Sequence, residues 1–270
     1  MVGPEIPAMH NHDVTPGASA RSGAVLRPLP PAAAPFLART LILIPALNES
    51  QAIRATVQEW IALGVGAVRV VDNGSTDDTA RVAADAGAEV VREPRRGYGA
   101  ACWTGLLSPP AGIEWVLFSS ADGSDRFQPA ELPLWQQAVD EGVELVLGNR
   151  CLFPGAVATL RPVQRFGSWL CGALMRLAWG VDFQDMGSRR LLRVATFRRL
   201  GLRDRAFGWN VEMQVRAVEQ RVRFVELPVP YFPRRAGKSK ISGTWVGGAK
   251  AAWGILSTLL TLWITRPFRR

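Results

Sequence analysis

From residue 40 onward the chain alternates short apolar runs with longer amphipathic stretches. The runs at 40–45, 67–72, 89–92, 115–119 and 144–148 are continuous rather than alternating. That is the pattern of strands covered by helices on both sheet faces. Between them the sequence predicts helices over 50–63, 76–86, 98–107 and 129–141. Strand–helix alternation with short connections implies an α/β fold, with right-handed crossovers in a mainly parallel sheet. A further helix is predicted over 162–180, where Phe166, Leu170, Leu174 and Leu177 fall at helical spacing. Another follows over 208–220, then a strand over 223–228, after which Pro228, Pro230 and Pro233 break the pattern.

The last segment, 244–264, is amphipathic with a wide apolar face. Lys250, Gly254, Ser257, Thr258 and Thr261 fall on one narrow stripe, and Ala252, Ile255, Leu256, Leu259, Leu260, Leu262 and Trp263 fill the rest. Three placements are open: docked at a membrane interface, packed on the domain, or spanning a bilayer. Its length just reaches the roughly 20 residues of a span, but Lys250 lies inside it. Trp263 with Arg266, Arg269 and Arg270 suits a headgroup layer, so interfacial docking is preferred. At the other end, residues 1–38 are rich in Pro, Ala and Gly and lack an apolar signal-peptide core, so they read as a disordered leader. The expected organisation is leader 1–38, α/β domain 39–233, and basic loop with amphipathic helix 234–270.

Charge changes this picture more than composition does. The 48% hydrophobic fraction of 270 residues supports one large core. Of the net charge of +9, residues 234–270 carry +8 and contain no Asp or Glu. Such a run is either a solvated surface or a site for a phosphate-bearing or anionic-membrane partner. Nucleic acid is disfavoured, because no zinc-finger, RNP or helix-turn-helix signature is present. Cys102, Cys151 and Cys171 are far apart and lack C-x-x-C spacing, which argues against a metal or disulfide framework and fits a reducing cytoplasm. Both histidines, His10 and His12, lie in the leader, so histidine acid–base chemistry is not expected.

Polar chemistry collects where the apolar runs end. The first runs into Pro45-Ala46-Leu47-Asn48-Glu49, and the second into Asp72-Asn73-Gly74-Ser75-Thr76-Asp77-Asp78. Asp77 and Asp78 are expected in a helix's first turn, where the macrodipole favours acids. Asp72 ends its strand in the crevice where open α/β sheets bind ligands. There a carboxylate can accept hydrogen bonds from a nucleotide base or ribose. Arg95-Arg96-Gly97-Tyr98-Gly99 joins guanidinium groups to a small-residue helix start, a combination that favours phosphate. Ser120-Ala121-Asp122-Gly123-Ser124-Asp125 follows another strand, and Gly148-Asn149-Arg150 closes the next. Later come Asp185-Met186-Gly187-Ser188-Arg189-Arg190, Glu212, and Arg234-Arg235-Ala236-Gly237-Lys238-Ser239-Lys240. The last is a cationic segment with a flexible glycine, suited to clamping phosphate oxygens.

In this order, over about 40–244, these segments resemble family 2 glycosyltransferases, closest to the polyprenyl-phosphate (dolichyl-phosphate mannose synthase-like) branch. The resemblance implies a GT-A fold and an inverting transfer from a nucleotide diphosphate-sugar, of GDP-mannose or UDP-glucose type. It implies that Pro45, Ala46, Asn48, Glu49, Asp72, Ser75, Arg96, Gly97, Ala121 and Asp122 bind the donor. It further implies Mg²⁺ or Mn²⁺ at the family's D-x-D, held here by Asp122 with Asp125. Ser120 stands where the first Asp of that pattern is expected, and Asn73 where the second-strand pattern has its second Asp. Arg150 would lie near an acceptor phosphate, with Asp185, Arg190 and Glu212 on the acceptor side and Arg234, Ser239 and Lys240 on phosphates. Glu212, then Asp185, would be general base for a hydroxyl acceptor; an ionised phosphate acceptor needs none. The preferred acceptor is a polyprenyl phosphate, with the enzyme cytoplasmic and peripheral on the inner, anionic face of the cell membrane. Two alternatives stand: a soluble transferase with a sugar or small-molecule hydroxyl acceptor, and a non-catalytic nucleotide-sugar or lipid-phosphate binding module, motivated by Ser120.

Overall fold

A computed structural model describes residues 10–11, 34–155, 159–237 and 245–266. Eight strands form one sheet: β1 (His10–Asn11), β2 (Thr40–Ala46), β3 (Ala67–Asp72), β4 (Glu89–Arg92), β5 (Trp115–Phe118), β6 (Leu145–Asn149), β7 (Arg190–Arg193) and β8 (Phe224–Pro228). Their order is β1-β8-β6-β7-β5-β2-β3-β4. Strands β2, β3, β4 and β5 are mutually parallel, as are β6 and β8, while β7 runs antiparallel between β5 and β6. Two reversals cancel, so β2, β3, β5, β6 and β8 all end at one edge of the sheet. The polar loops predicted from sequence therefore converge there. Strand β7 escaped prediction because only Leu191 and Leu192 lie between its two arginines.

Helices cover both faces: α1 (Ile53–Ala62), α2 (Thr79–Asp85), α3 (Tyr98–Leu106), α4 (Leu132–Asp140), α5 (Pro162–Trp179), α6 (Val194–Leu200), α7 (Trp209–Glu219) and α8 (Trp245–Thr265). Side chains of a strand alternate between faces. Ile42 and Ile44 of β2 join Val57, Trp60 and Trp135 in one core layer, whereas Leu43 joins Leu106, Met175, Trp209 and Met213 in the other. Both layers are apolar, which is why the strand runs are continuous in sequence. The body also begins before the expected boundary at residue 39. Phe36 and Leu37 are buried in the first layer, and the Phe36 amide donates to Gln136 Oε1 (3.1 Å). His10–Asn11 adds an antiparallel edge strand against β8, whereas the leader was expected to be disordered.

Three local expectations change. Helix α2 starts at Thr79, so Asp77 and Asp78 precede its first turn. Asp77 acts from outside, its Oδ1 accepting from the Thr79 amide (3.0 Å). Burial pushes its carboxyl up, but hydrogen bonds from Thr79 and Ser50 outweigh that and lower its pKa. Second, helix α5 carries Phe166 and Leu177 outward, and its buried positions are Ser168, Cys171, Gly172 and Met175. Third, α8 packs on α7 and α5, burying Ala251, Leu259 and Leu262, and Gly254 and Thr258 of its small polar stripe also face inward, whereas Lys250 and Thr261 are exposed. Thr258 Oγ1 donates to Asp204 Oδ2 (2.9 Å), and Gly254 lies against Phe207. Among the described residues, no helix is long and apolar enough to cross a membrane.

One core carboxyl is out of balance. Glu226 on β8 is buried, and its Oε1 has no hydrogen-bond partner. Burial, with the Asp185 charge nearby, pushes its pKa from 4.5 up to about 8. The folded protein thus keeps a proton that the unfolded chain gives up. Its contribution to stability is full below the unfolded value of 4.5 and is lost as pH rises through about 8. Glu226→Gln is expected to raise Tm at about pH 9 and leave it nearly unchanged at about pH 4. Thermal unfolding across this range checks it; an unaltered pH slope would contradict the assignment.

Candidate active site

The first two strand ends are sewn to each other. Asn48 sits in the left-handed region (φ 53°), which Asn tolerates better than most residues. Its amide donates to Ser75 Oγ (3.0 Å), and its Oδ1 accepts from the Thr76 amide (2.8 Å). The Glu49 amide donates to Thr79 Oγ1 (2.8 Å). Asp72 Oδ1 closes its own turn by accepting from the Ser75 amide (3.0 Å). Asn48, Glu49, Asp72 and Ser75 thus form one patch at the end of β2 and β3. The Ala46 carbonyl accepts from the Asn73 amide, and the Ala121 carbonyl from Thr56 Oγ1.

Asn73 explains its own departure from the family pattern. Its Nδ2 donates to the carbonyls of Glu93 (3.0 Å) and Arg95 (2.7 Å), and its Oδ1 accepts from the Gly97 amide (2.8 Å). An aspartate could not donate the first two. The loop it pins holds Arg96, whose Nη2 donates to the Gly74 carbonyl (3.1 Å). Gly97 has φ 154°, and a Cβ there would lie 2.1 Å from the Arg205 carbonyl oxygen, so the 203–207 loop forms the outer wall. Below the loop, Arg95 and, against the cost of burial, Thr104 hold the Glu93 carboxyl at about 2. Sequence reasoning missed Glu93; an acid directly before Pro94-Arg95-Arg96 was its only signal.

The third strand end carries the acidic turn. Asp122 Oδ1 accepts from the Ser124 amide (2.8 Å) and hydroxyl (2.6 Å). Its Oδ2 accepts from Arg234 Nη1 (2.5 Å), while Arg234 Nη2 donates to both oxygens of Glu49 (2.7 and 2.9 Å). The basic segment is laid along this turn. The Phe232 amide donates to the Ser124 carbonyl (3.0 Å), the Arg235 amide to the Asp122 carbonyl (3.0 Å), and the Arg235 side chain pairs with Glu59. Ser120, in place of the family's first Asp, contacts Ser124 Oγ (3.1 Å) and accepts from the Asp125 amide (3.3 Å). Asp125, expected beside Asp122 as a metal ligand, instead accepts from Ser188 Oγ through Oδ2 (2.5 Å). Ser239 and Lys240 lie outside the described residues.

On the acceptor side the expected carboxylates are already engaged. Asp185 is bonded to Arg150 through both oxygens: Oδ2 accepts from the Arg150 amide (2.9 Å) and Nε (2.7 Å), and Oδ1 from Nη2 (2.6 Å). Burial raises the Asp185 pKa, but the Arg150 charge and hydrogen bonds together outweigh it and the net shift is downward. The Arg150 guanidinium also lies 4.9 Å from the Tyr231 ring centre. Arg190 is buried and donates to the Gly187 and Asn210 carbonyls and to Gln214 Oε1. Burial lowers its pKa to about 10. It braces the loop before β7 rather than facing an acceptor. Glu212 is buried as well; its Oε2 accepts from the Arg203 (2.9 Å) and Asp204 (2.7 Å) amides, and Oε1 lies 3.7 Å from Arg216. Its carboxylate is thus a brace for the 203–207 wall. Sequence placed the right residue types here but could not say which way each carboxylate points.

A mainly parallel sheet flanked by helices, with these turns gathered at its carboxyl edge, is a GT-A-like α/β fold. The chain belongs to glycosyl transferase family 2, whose family model matches residues 41–201, and it is a glycosyltransferase. An uncharacterised glycosyltransferase of Mycobacterium tuberculosis is 38% identical over 219 residues, covering 80% of this chain and 97% of that protein. An undecaprenyl-phosphate mannosyltransferase of Micrococcus luteus is 30% identical over 232 residues, covering 80% and 94%. Among solved structures, glucosyl-3-phosphoglycerate synthase from Mycobacterium tuberculosis, in complex with Mn²⁺, UDP-glucose and phosphoglyceric acid, matches with a TM-score of 0.68 at 19% identity. The match covers 92% of this chain and 87% of that one.

Two substitutions test these roles. Asn73→Asp removes two buried donor bonds and is expected to cost about 1–3 kcal/mol, measured by denaturant unfolding; an unchanged midpoint would contradict the pinning role. Glu212→Gln keeps an acceptor for both amides, so turnover should survive within about tenfold, far from the 10²–10⁴-fold typical of losing a general base. Steady-state transfer rates decide; loss of turnover with donor binding intact would restore Glu212 as the base.

Proposed function

We propose that this enzyme moves a sugar, with inversion, from a nucleotide diphosphate-sugar to a polyprenyl phosphate. The observation that carries the acceptor is the engagement of both candidate bases. Both oxygens of Asp185 are bonded to Arg150, and Glu212 is bound to two backbone amides. A hydroxyl acceptor must lose a proton during transfer and needs a base. A phosphomonoester is already largely ionised near neutral pH and needs positioning and charge stabilisation instead. Arg150 supplies a rigid guanidinium for that task, and Arg234, with Ser239 and Lys240 by family resemblance, supplies further phosphate contacts. The Micrococcus luteus relative, by its name, acts on undecaprenyl phosphate, which supports the same acceptor chemistry. For a hydroxyl acceptor, the alternative reading, both candidate bases, Asp185 and Glu212, are already engaged.

For the donor, Asp72 is the hydrogen-bond acceptor for base or ribose, and Arg96 with Gly97 borders the phosphates. The residues fit a divalent cation: Asp122 is a hard oxygen donor whose Oδ2 is met by a cation already, and Glu49 lies on the far side of that same cation. Mg²⁺ often takes only one or two protein carboxylates beside substrate phosphates, so the lack of a cluster of three acids among the described residues is no obstacle. Mg²⁺ or Mn²⁺ held by Asp122 would neutralise charge developing on the departing diphosphate. Metal-bound complexes of the structural relative with UDP are in keeping with this. The basic segment and α8 would hold the enzyme peripherally on the anionic inner face of the cell membrane.

The test is sugar transfer from GDP-mannose and UDP-glucose to polyprenyl phosphate in detergent, with polyprenol and soluble sugars as competing acceptors. Transfer to the phosphate alone is expected. Arg150→Lys, which keeps the charge but loses the bidentate fork, should lower transfer by about tenfold or more. Transfer only to a soluble sugar would overturn the acceptor assignment.

A further inference from the structure

Large apolar side chains exposed on this protein concentrate on two helices. On α5 they include Phe166 (60% exposed), Trp169 (62%) and Leu177 (80%); on α8, Trp253 (76%), Leu260 (52%) and Trp263 (51%). Phe166 and Trp169 lie against each other on the surface, ring centres 5.8 Å apart. The two helices touch, and the Arg266 side chain at the end of α8 pairs with the Ala178 carbonyl near the end of α5. Helix α8 turns Gly254 and Thr258 toward the body, and Trp253 and Trp263 face away from it. Clustered exposed apolar surface of this kind marks an interaction site.

Charge says what covers it. The two longest stretches of the chain without Asp or Glu are 145–181 and 227–270, and they carry these two helices. Exposed Arg165 and Arg176 lie on α5, with Lys250 on α8 and Arg266 directly after it; among the described residues, only Arg176 of these four pairs with an acid, Asp182, at 3.6 Å. Tryptophans flanked by unopposed arginines suit the headgroup layer of an anionic bilayer. The opposite side of α5 points at the acceptor salt bridge. Ser168 Oγ lies 3.4 Å from Asp185 Oδ1 and 3.4 Å from the Met186 amide, which it accepts. One helix width, about 10 Å, therefore separates the exposed aromatic pair from the carboxylate that orients Arg150.

We propose that α5 and α8 form a single face that docks on an anionic lipid bilayer, with α5 as the element that brings a membrane-embedded phosphate acceptor to Arg150. This rests on the polyprenyl-phosphate reading for its acceptor but not for its lipid binding. Docking by α8 and the basic tail alone is the simpler arrangement, and the two differ in what happens when α5 is changed.

The experiment is co-sedimentation of the full chain with phosphatidylcholine vesicles, with and without phosphatidylglycerol, for wild type, Phe166→Glu/Trp169→Glu and Trp253→Glu/Trp263→Glu. Transfer to polyprenyl phosphate in detergent and sedimentation velocity are measured in parallel. Wild type should bind anionic vesicles more tightly than neutral ones, and each double variant should lose at least about tenfold in affinity. The α5 variant should retain transfer in detergent within about twofold, since neither residue touches the site. An α5 variant that binds vesicles like wild type would overturn the proposal, as would one that changes oligomeric state without changing vesicle binding, which would make the face a contact between copies. Failure of wild type to use polyprenyl phosphate in detergent, with vesicle binding intact, would reject the acceptor and leave the docking face standing.

Discussion

Glu49 and Asp122 belong to different strand ends, and one guanidinium holds them together. Two carboxylates brought to one edge repel, by an amount of about 4 kcal/mol for unit charges 4 Å apart at an effective dielectric near 20. Arg234 relieves that repulsion by bonding to both. Everything at the carboxyl edge is arranged around this need for positive charge. The parallel strands deliver the acids, and the proline-broken segment after β8 runs back along the Asp122 turn to deliver the arginine. We propose that the same acidity accepts a divalent cation together with a diphosphate.

Around that centre the buried charges act mainly as braces. Asp185 fixes Arg150, Glu212 fixes the 203–207 wall, and Arg190 ties the loop before β7 to α7. Breaking a buried pair of this kind costs far more than the pair itself contributes. Their value is therefore positional. Arg150 is held in one orientation with a neighbouring aromatic ring, and the wall meets Gly97 at a distance no other residue would permit.

The fold was legible because its rule is simple: continuous apolar runs, helical spacing between them, polar residues where runs end. The candidate donor-side residues follow the same rule: Asp72 closes β3, and Asn48 and Asp122 stand two and four residues past the ends of β2 and β5. Direction was not legible. Nothing in the local sequence of Glu212 says that its carboxylate turns back onto the Arg203 and Asp204 amides, and its i+4 neighbour Arg216 was only a hint. Helix α8 misled in a related way: small polar residues such as Thr258 look solvent-facing on a helical projection, yet they are what lets the helix approach the 204–208 loop closely. Asn73 was read as a departure from a pattern, and only its three hydrogen bonds show why an amide is needed there.

We propose that the crevice binds a nucleotide diphosphate-sugar with a divalent cation held by Asp122. Calorimetric titration of GDP, UDP and their sugars, with and without Mn²⁺, on wild type and Asp122→Ala tests it most directly. Metal-dependent binding of one nucleotide, lost in the variant, is the expected result and would also identify the donor base. Binding indifferent to both metal and Asp122 would contradict the claim.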